Sequence, residues 1–366
     1  MRLEISRDQL LPLLQPLLAV VEKRQTLAIL SNIRVEARDG RLRLTSTDLE
    51  VELVAGVEAD VQEEGATTVQ ARKLADIVRH LPDGATLSFA LEKDRAVLRS
   101  GRSRFALSTL APEDFPEVES IGPSEDVTLP QGVLRGLIER TQFSMAQHDV
   151  RYYLNGLLLE LDRTGTRAVA TDGHRLALAE SAIGADVQEP RQIIVPRKGV
   201  HELVRLLADT DEPATVQFGA QHLRAELGAV RLTSKLIEGR FPDYHRVIPQ
   251  EGDKHVLVER DALRQALSRV YILSNEKYRG VRFAVEGDRL VVGSHNPEQE
   301  EAEEELEVEY GGPRVELGFN ANYLLEALGA MRTDRTVITL TDAQSSGLLQ
   351  AEGDDSARYV VMPMRL

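Results

Sequence analysis

The sequence predicts an α+β protein built as three similar domains, each with two helices packed on antiparallel sheets. Three observations carry this reading. The chain has 366 residues, too many for one ordinary domain and enough for two or three. A 16-residue pattern of two short alternating strands around a turn begins at Ile33, recurs at Leu157 and recurs again at Val281, each start 124 residues after the one before. An apolar residue running into an amphipathic helix begins at Val69, Val195 and Phe319, with spacings of 126 and 124 residues. Identity between the copies is low, so it is the equal spacing that marks them as repeats.

The elements follow in order. A helix precedes each hairpin. The first lies near 7–18, where Leu10, Leu11, Leu14, Leu17 and Leu18 recur at helical steps; Pro12 counts against it, because an interior proline removes a hydrogen bond. The second lies near 131–146 (Val133, Leu134, Leu137, Ile138) and the third near 260–273 (Leu263, Ala266, Leu267, Val270). Linkers are expected where proline and acidic residues cluster, at 121–130 and 248–259. The domains are therefore placed at 1–125, 126–253 and 254–366, and three similar domains in a row suggest a curved array.

Several functions are disfavoured at once. Cysteine is absent, which removes disulfides, zinc-thiolate sites and cysteine nucleophiles and fits a reducing cytoplasm. No apolar run approaches a membrane span, and MRLEISRDQLLPLL lacks the features of a secretory signal. No phosphate-binding GxxxxGK[ST] loop, HExxH or GxSxG occurs, and no cofactor or metal is expected. Thr171-Asp-Gly-His-Arg offers an Asp/His pair without a nucleophile beside it, and a turn after a hairpin strand accounts for Asp172-Gly173. A hydrolase or transferase centred on Asp172 and His174 stays as an alternative, as does a peptide-binding scaffold that ignores nucleic acid.

The net charge of −15 argues against a nucleic-acid partner until its distribution is examined. The six helix windows hold twelve basic and six acidic residues, so the rest of the chain carries −21. If the sheets face out and the helices in, a positive inner wall would hold the phosphates of duplex DNA without reading bases. The alternative is that these cations are solvated faces and helix-end charges.

Two charged runs suggest a contact between copies. Pro297-EQEEAEEELEVE carries Glu298, Glu300, Glu301, Glu303, Glu304, Glu305 and Glu307 in the last third, whereas the first third holds Arg99, Arg102 and Arg104 beside Phe105 and Leu107. A head-to-tail dimer would join them twice and close a ring of six domains, with Phe105, Leu107, Ile272 and Leu273 as apolar centres. A solvated acidic strand or loop is the plain alternative.

Strings from all three thirds resemble the bacterial DNA polymerase III beta subunits, the beta sliding clamp family. They are TDLEVELV (47–54), SGRSRFALSTL (100–110), DVRYYLNG (149–156), VATDGHRLA (169–177), VPRKGV (195–200), GRFPDY (239–244), ILSNEKYRGVR (272–282), NPEQEEAEEE (296–305) and YVVMPMRL (359–366). The resemblance implies a half-ring protomer with the DNA clamp fold and no catalysis, which dimerises around duplex DNA and slides without sequence preference. It implies a clamp loader as partner, together with the DNA polymerase III catalytic subunit, other polymerases, and repair and replication-regulation proteins that carry a clamp-binding peptide. The peptide pocket would comprise Leu154, Thr171, Gly173, His174, Arg175, Leu176, Pro242, Arg246, Val247, Val360, Met362, Pro363, Met364 and Arg365. Arg151, Asn320, Tyr323 and Ser346 would extend it, and Gln344 stands where the family commonly has an apolar residue. Methionine suits a surface that accepts several ligands. DNA contacts would fall on Arg24, Arg72, His148, Tyr152, Tyr153, Arg197 and Lys198, with a template base stacked on one tyrosine and the other packed on a strand. The dimer interface would use Lys73, Arg102, Arg104, Phe105, Leu107, Ile272, Leu273, Glu298, Glu300, Glu301 and Glu304.

Overall fold

The computed structural model describes residues 1–21, 27–118, 121–122, 124–249 and 252–365. Within them the three hairpins form where the repeat places them. They are Asn32–Arg38 with Arg41–Thr47, Gly156–Leu161 with Thr166–Thr171, and Gly280–Glu286 with Arg289–His295. Equivalent positions are buried in each: Ile33 and Val35, Leu157 and Leu159, Val281 and Phe283. Period-two alternation puts these side chains on one face of a strand.

Among the described residues six α-helices accompany the strands: α1 (Arg7–Val20), α2 (Ala71–Arg79), α3 (Gln131–Glu139), α4 (Arg197–Leu206), α5 (Arg260–Val270) and α6 (Ala321–Ala330). The second, fourth and sixth grow directly out of the strands Gly65–Gln70, Arg191–Pro196 and Val315–Asn320, as the second repeat pattern requires. A capping box starts α1, with Ser6 Oγ accepting from Gln9 N at 3.2 Å. The helix runs through both Pro12 and Pro16. Their missing donors leave the carbonyls of Asp8 and Pro12, both on the exposed side, to water, so the loss is small. The helix expected at 131–146, α3, is shorter than expected. It ends at Glu139 rather than running to 146, where Thr141 turns its hydroxyl back onto Leu137 O at 2.8 Å and a 3-10 turn, Gln142–Ser144, follows.

Both expected linkers end in strands. Glu125–Pro130 pairs antiparallel with Pro213–Phe218, and Lys254–Glu259 with Arg335–Leu340. Val127, Leu129, Val256 and Val258 are buried there. The alternation was present in the sequence, and the neighbouring proline and acidic residues masked it.

The chain forms two compact units: Met1–Arg135 with Lys198–Leu236, and Gly136–Arg197 with Ile237–Leu366. The first contains a thirteen-stranded sheet, in which Val230–Lys235 pairs antiparallel with Val51–Glu58. The second contains an eight-stranded sheet and a four-stranded sheet. In the eight-stranded sheet, Arg175–Ser181 pairs antiparallel with Asp354–Val361.

One arginine device repeats three times. Arg7 Nε donates to Val78 O at 3.3 Å, Arg135 to Leu207 O at 3.2 Å and Arg260 to Met331 O at 2.7 Å. Each binds a carbonyl at the C-terminal end of the next helix, where the helix dipole is negative. The backbones at the start of the odd-numbered helices repeat as well: Arg7 N, Gln131 N and Arg260 N donate to Ala85 O, Glu212 O and Asp334 O. Replacing Arg260 with Met keeps the packed stem and removes the charged hydrogen bond. Its loss should lower unfolding free energy by about 1.5–3 kcal/mol in a denaturant titration; an unchanged midpoint would dismiss the cap as a stabilising contact.

Candidate functional site

The expected pocket residues gather in the second compact unit. Leu176, Val360 and Leu348 stand side by side across three adjacent strands, because Val360 pairs with Leu176 on one side and Leu348 on the other. With Phe241, Tyr244 and Ile248 they form a buried apolar cluster, and Tyr153 packs against it. Leu154 is buried too. The strand ends at Val361, one residue before Met362-Pro363, where proline has no donor to give. Beyond it the chain is held by Met362 N donating to His174 O (3.0 Å) and Met364 N to Gly318 O (2.8 Å). Met362, next to Val361, and Val247, next to Ile248, remain 39% and 37% exposed. Tyr244 anchors the segment that carries Pro242, Arg246 and Val247 through a 2.5 Å hydrogen bond from its hydroxyl to Glu160. Burial, and then that carboxylate, push the Tyr244 phenol above its ordinary value.

The turn beside this cluster is built by its own side chains. Asp172 Oδ1 accepts from His174 N (2.9 Å) and Arg175 N (3.0 Å), while Thr171 Oγ1 accepts from Gly173 N (3.1 Å). Asp172 Oδ2 takes Arg175 Nε at 3.1 Å, so this carboxylate is committed to structure. Gly173 has φ +88°, and a Cβ there would meet the Arg151 guanidinium at 2.8 Å. Asp149, absent from the sequence-derived set, grips Arg151 from below at 3.0 and 2.8 Å. The Asp149-x-Arg151 spacing was the signal for it.

Arg175 does not serve as an edge cation. It donates to Phe143 O at 2.6 Å, pairs with Asp172 and Glu326, and lies over the Tyr323 ring at 4.5 Å. Asn320 is likewise engaged, capping α6 through Asn322 N (2.9 Å) and donating to Tyr278 O (3.2 Å). Arg246 is exposed beside Asp243, and His174 and Arg365 are exposed. Pro363, Met364 and Ser346 are half-buried, and Gln344 is exposed in a turn set by Asp342.

The expected DNA contacts scatter by environment. Arg24 lies outside the described residues. Arg72 is exposed at the start of α2, with one nitrogen on Val21 O at 3.3 Å. His148 is exposed at φ +56°. The tyrosines sit on a 3-10 turn, not a strand: Tyr152 is 58% exposed, whereas Tyr153 faces the apolar cluster. Arg197 donates to Met145 O at 3.1 Å, and burial, followed by the nearby Arg175 charge, lowers its guanidinium below the ordinary value. Lys198 is ion-paired with the buried side chain of Asp48. These last two have internal partners that phosphate would have to displace.

The two charged runs lie on open strand edges. Ser103–Leu110 pairs fully with Arg95–Ser100, but on its other side only Thr109 and Leu110 are paired among the described residues. Glu301–Glu307 is the last strand of the four-stranded sheet. Arg102 is exposed, as are Lys73, Glu298, Glu300 and Glu301. Arg104 lies 3.6 Å from Glu92. Ile272 is 72% exposed, Leu273 and Phe105 are half-buried, and Leu107 is buried in its own chain and therefore no apolar centre. Glu304 is held by Arg269 of the same chain at 2.5 and 2.9 Å.

Three family models cover nearly the whole chain: DNA polymerase III beta subunit, N-terminal domain (residues 1–119), central domain (128–243) and C-terminal domain (245–365). The beta sliding clamp of Pseudomonas putida is 51% identical over 367 residues, and that of Escherichia coli 50% over 368, each covering 100% of both chains. The crystal structure of the Pseudomonas aeruginosa DNA polymerase sliding clamp with ligand superposes with a TM-score of 0.97 at 49% identity, covering 100% of both chains. The sliding clamp of Caulobacter crescentus gives 0.94 at 40%, again over 100% of both. The architecture is thus the three-domain DNA clamp, a class of non-enzymatic processivity factors. Within that class the chain belongs to the DNA polymerase III beta subunit family, the beta sliding clamps.

The Arg151 clamp holds the Asp149 carboxyl down at about 2. A depressed carboxylate contributes stability above its ordinary value near 3.8, and loses it as pH falls through the folded value. The Asp149 carboxyl carbon should therefore titrate at about 2 by NMR and stay flat from neutrality to about pH 4. A midpoint near 4 would show that the clamp is not formed.

Proposed function

We propose that this chain closes as a head-to-tail homodimer around duplex DNA and tethers polymerases to it in the cytoplasm, sliding without sequence preference. The family supplies the processivity function and, in general terms, DNA, polymerase and clamp loader as partners. The observation that carries the closed dimer is the pair of open edges. Ser103–Leu110 follows Arg102 and carries Arg104, Glu301–Glu307 is glutamate-rich, and among the described residues the first leaves most of one side unpaired and the second is the last strand of its sheet. An unpaired edge is a template for another strand, and opposite charge makes the wrong pairing of like edges unfavourable. Each copy offers one of each edge, so two copies satisfy both. Ile272, 72% exposed, remains as an apolar side chain for such a contact.

Arg72 and Tyr152, exposed and aromatic or cationic, are the residues best disposed to meet nucleic acid. The polymerase catalytic subunit, other polymerases and repair proteins would dock a peptide where Met362 and Val247 emerge above the Leu176–Val360 floor. Domain limits at 1–125, 126–253 and 254–366 fit this reading. The alternative of catalysis at Asp172 and His174 gains no support, since the turn consumes the aspartate.

A clamp should stay on circular DNA and leave it after linearisation. Charge reversal of Arg102 and Arg104 to Glu should raise the dimer dissociation constant by about ten-fold or more, roughly 1.4 kcal/mol, and abolish retention; unchanged sedimentation would sink the edge-to-edge contact. Met362→Glu places a charge on the exposed apolar rim. Peptide capture should fall by about ten-fold with the dimer intact, and undiminished capture would move the pocket elsewhere.

A further inference from the structure

The outer face of the thirteen-stranded sheet carries a group of arginines that no role described above uses. Arg41 and Arg43 lie on Arg41–Thr47, Arg231 on Val230–Lys235 and Arg224 on His222–Leu227. The strand Val51–Glu58 runs between them, with Arg43 opposite Gly56 and Arg231 opposite Val54. Their alternating neighbours Leu42, Leu44 and Leu232 are buried, so the arginines project from the side opposite that core. A cleft of about 530 Å³ opens there, with Gly56 and Val54 among its lining residues. That size suits a small ligand.

Among the described residues none of these four arginines forms an ion pair, in a chain whose net charge is −15. Arg231 Nε is buried and has no hydrogen-bond partner; Arg224 Nε reaches Thr233 Oγ1 at 3.4 Å. Glu36 stands opposite Arg43, and Glu226 opposite Arg231, yet neither closes to an ion pair. Glu52 is buried among them and takes Val118 N at 3.4 Å. Burial raises its carboxyl above the ordinary value, against the opposing pull of the Val118 hydrogen bond and of the Arg231, Arg43 and Arg224 charges. Burial, and then the Arg224 and Arg43 charges, lower the Arg231 guanidinium, so the cations feel one another more than any acid.

We propose that this cleft binds a compact, multiply charged phosphate anion of the pyrophosphate or oligophosphate class. Arg41 and Arg43 from one strand and Arg231 from another line the cleft, with Arg224 behind them on the next strand; their guanidinium forks match the several oxygens of linked phosphates, and more than one negative charge is needed to offset the group. Glu36, Asp39 and Glu226 line the same cleft. They would repel a long nucleic-acid strand running across it, whereas a compact anion sits between them.

The test is calorimetric titration of the full-length protein with inorganic tripolyphosphate and pyrophosphate, at low salt and without divalent metal. Orthophosphate, citrate and a short single-stranded oligonucleotide are compared. Tripolyphosphate should bind, weaken as salt rises, and bind about ten-fold or more weakly to Arg43→Gln/Arg231→Gln. Arg231 is half-buried, so the exposed pair Arg41→Gln/Arg43→Gln is measured alongside and should show the same loss. Equal binding by both variants, no binding of tripolyphosphate, or binding by citrate or the oligonucleotide alone would each overturn the site.

Discussion

The second compact unit depends on one pairing, the antiparallel contact of Arg175–Ser181 with Asp354–Val361. It joins chain segments nearly half the sequence apart, so the closure entropy is large and must be repaid by what the pairing buries. Ala177, Leu178, Ala179, Tyr359 and Val360 are almost fully buried as a result. The same pairing brings the 171–175 turn beside the C-terminal tail, since Met362 N continues the ladder onto His174 O. In the proposed pocket, stability and peptide docking would therefore draw on one set of backbone hydrogen bonds.

Charge in this protein does more structural than ligand-binding work on the helices. Arg7, Arg135 and Arg260 are spent on helix C-terminal carbonyls, and Arg197, Lys198 and Arg269 have internal partners. A helix surplus of positive charge thus overstates what is free to meet phosphate. Arg72, Lys73 and Arg264 remain exposed, and these would hold DNA through charge without reading sequence. The strand arginines around Arg231 form a cationic group in the part of the chain that is net negative.

The proposed dimer would give a use to open edges that are otherwise an aggregation hazard. Long unpaired strands invite pairing with any other edge. Here one edge is arginine-flanked and the other bristles with glutamate, several of them tethered: Glu303 to Arg282 at 2.7 Å and Glu304 to Arg269. In the proposed dimer, tethering would fix where the acidic charge stands before a partner arrives and so lower the ordering cost of association.

The periodicity of the sequence was sufficient for the three hairpins, the six helix positions and the equal spacing between them, because burial demands period two in strands and helical steps in helices. The linkers were misplaced for the same reason: Val127-Leu129 and Val256-Val258 alternate, but turn-forming neighbours hid them. Family resemblance, not periodicity, singled out the pocket residues. What only the tertiary structure decided is the partner each polar side chain takes. Whether Arg175 points to solvent or to Phe143 and Glu326, whether Leu107 is a contact surface or core, and whether Tyr152 or Tyr153 faces outward all depend on residues distant in the chain. Composition and spacing record which groups are present, whereas hydrogen bonds and burial are settled by three-dimensional neighbours, and those exist only once the strands have paired.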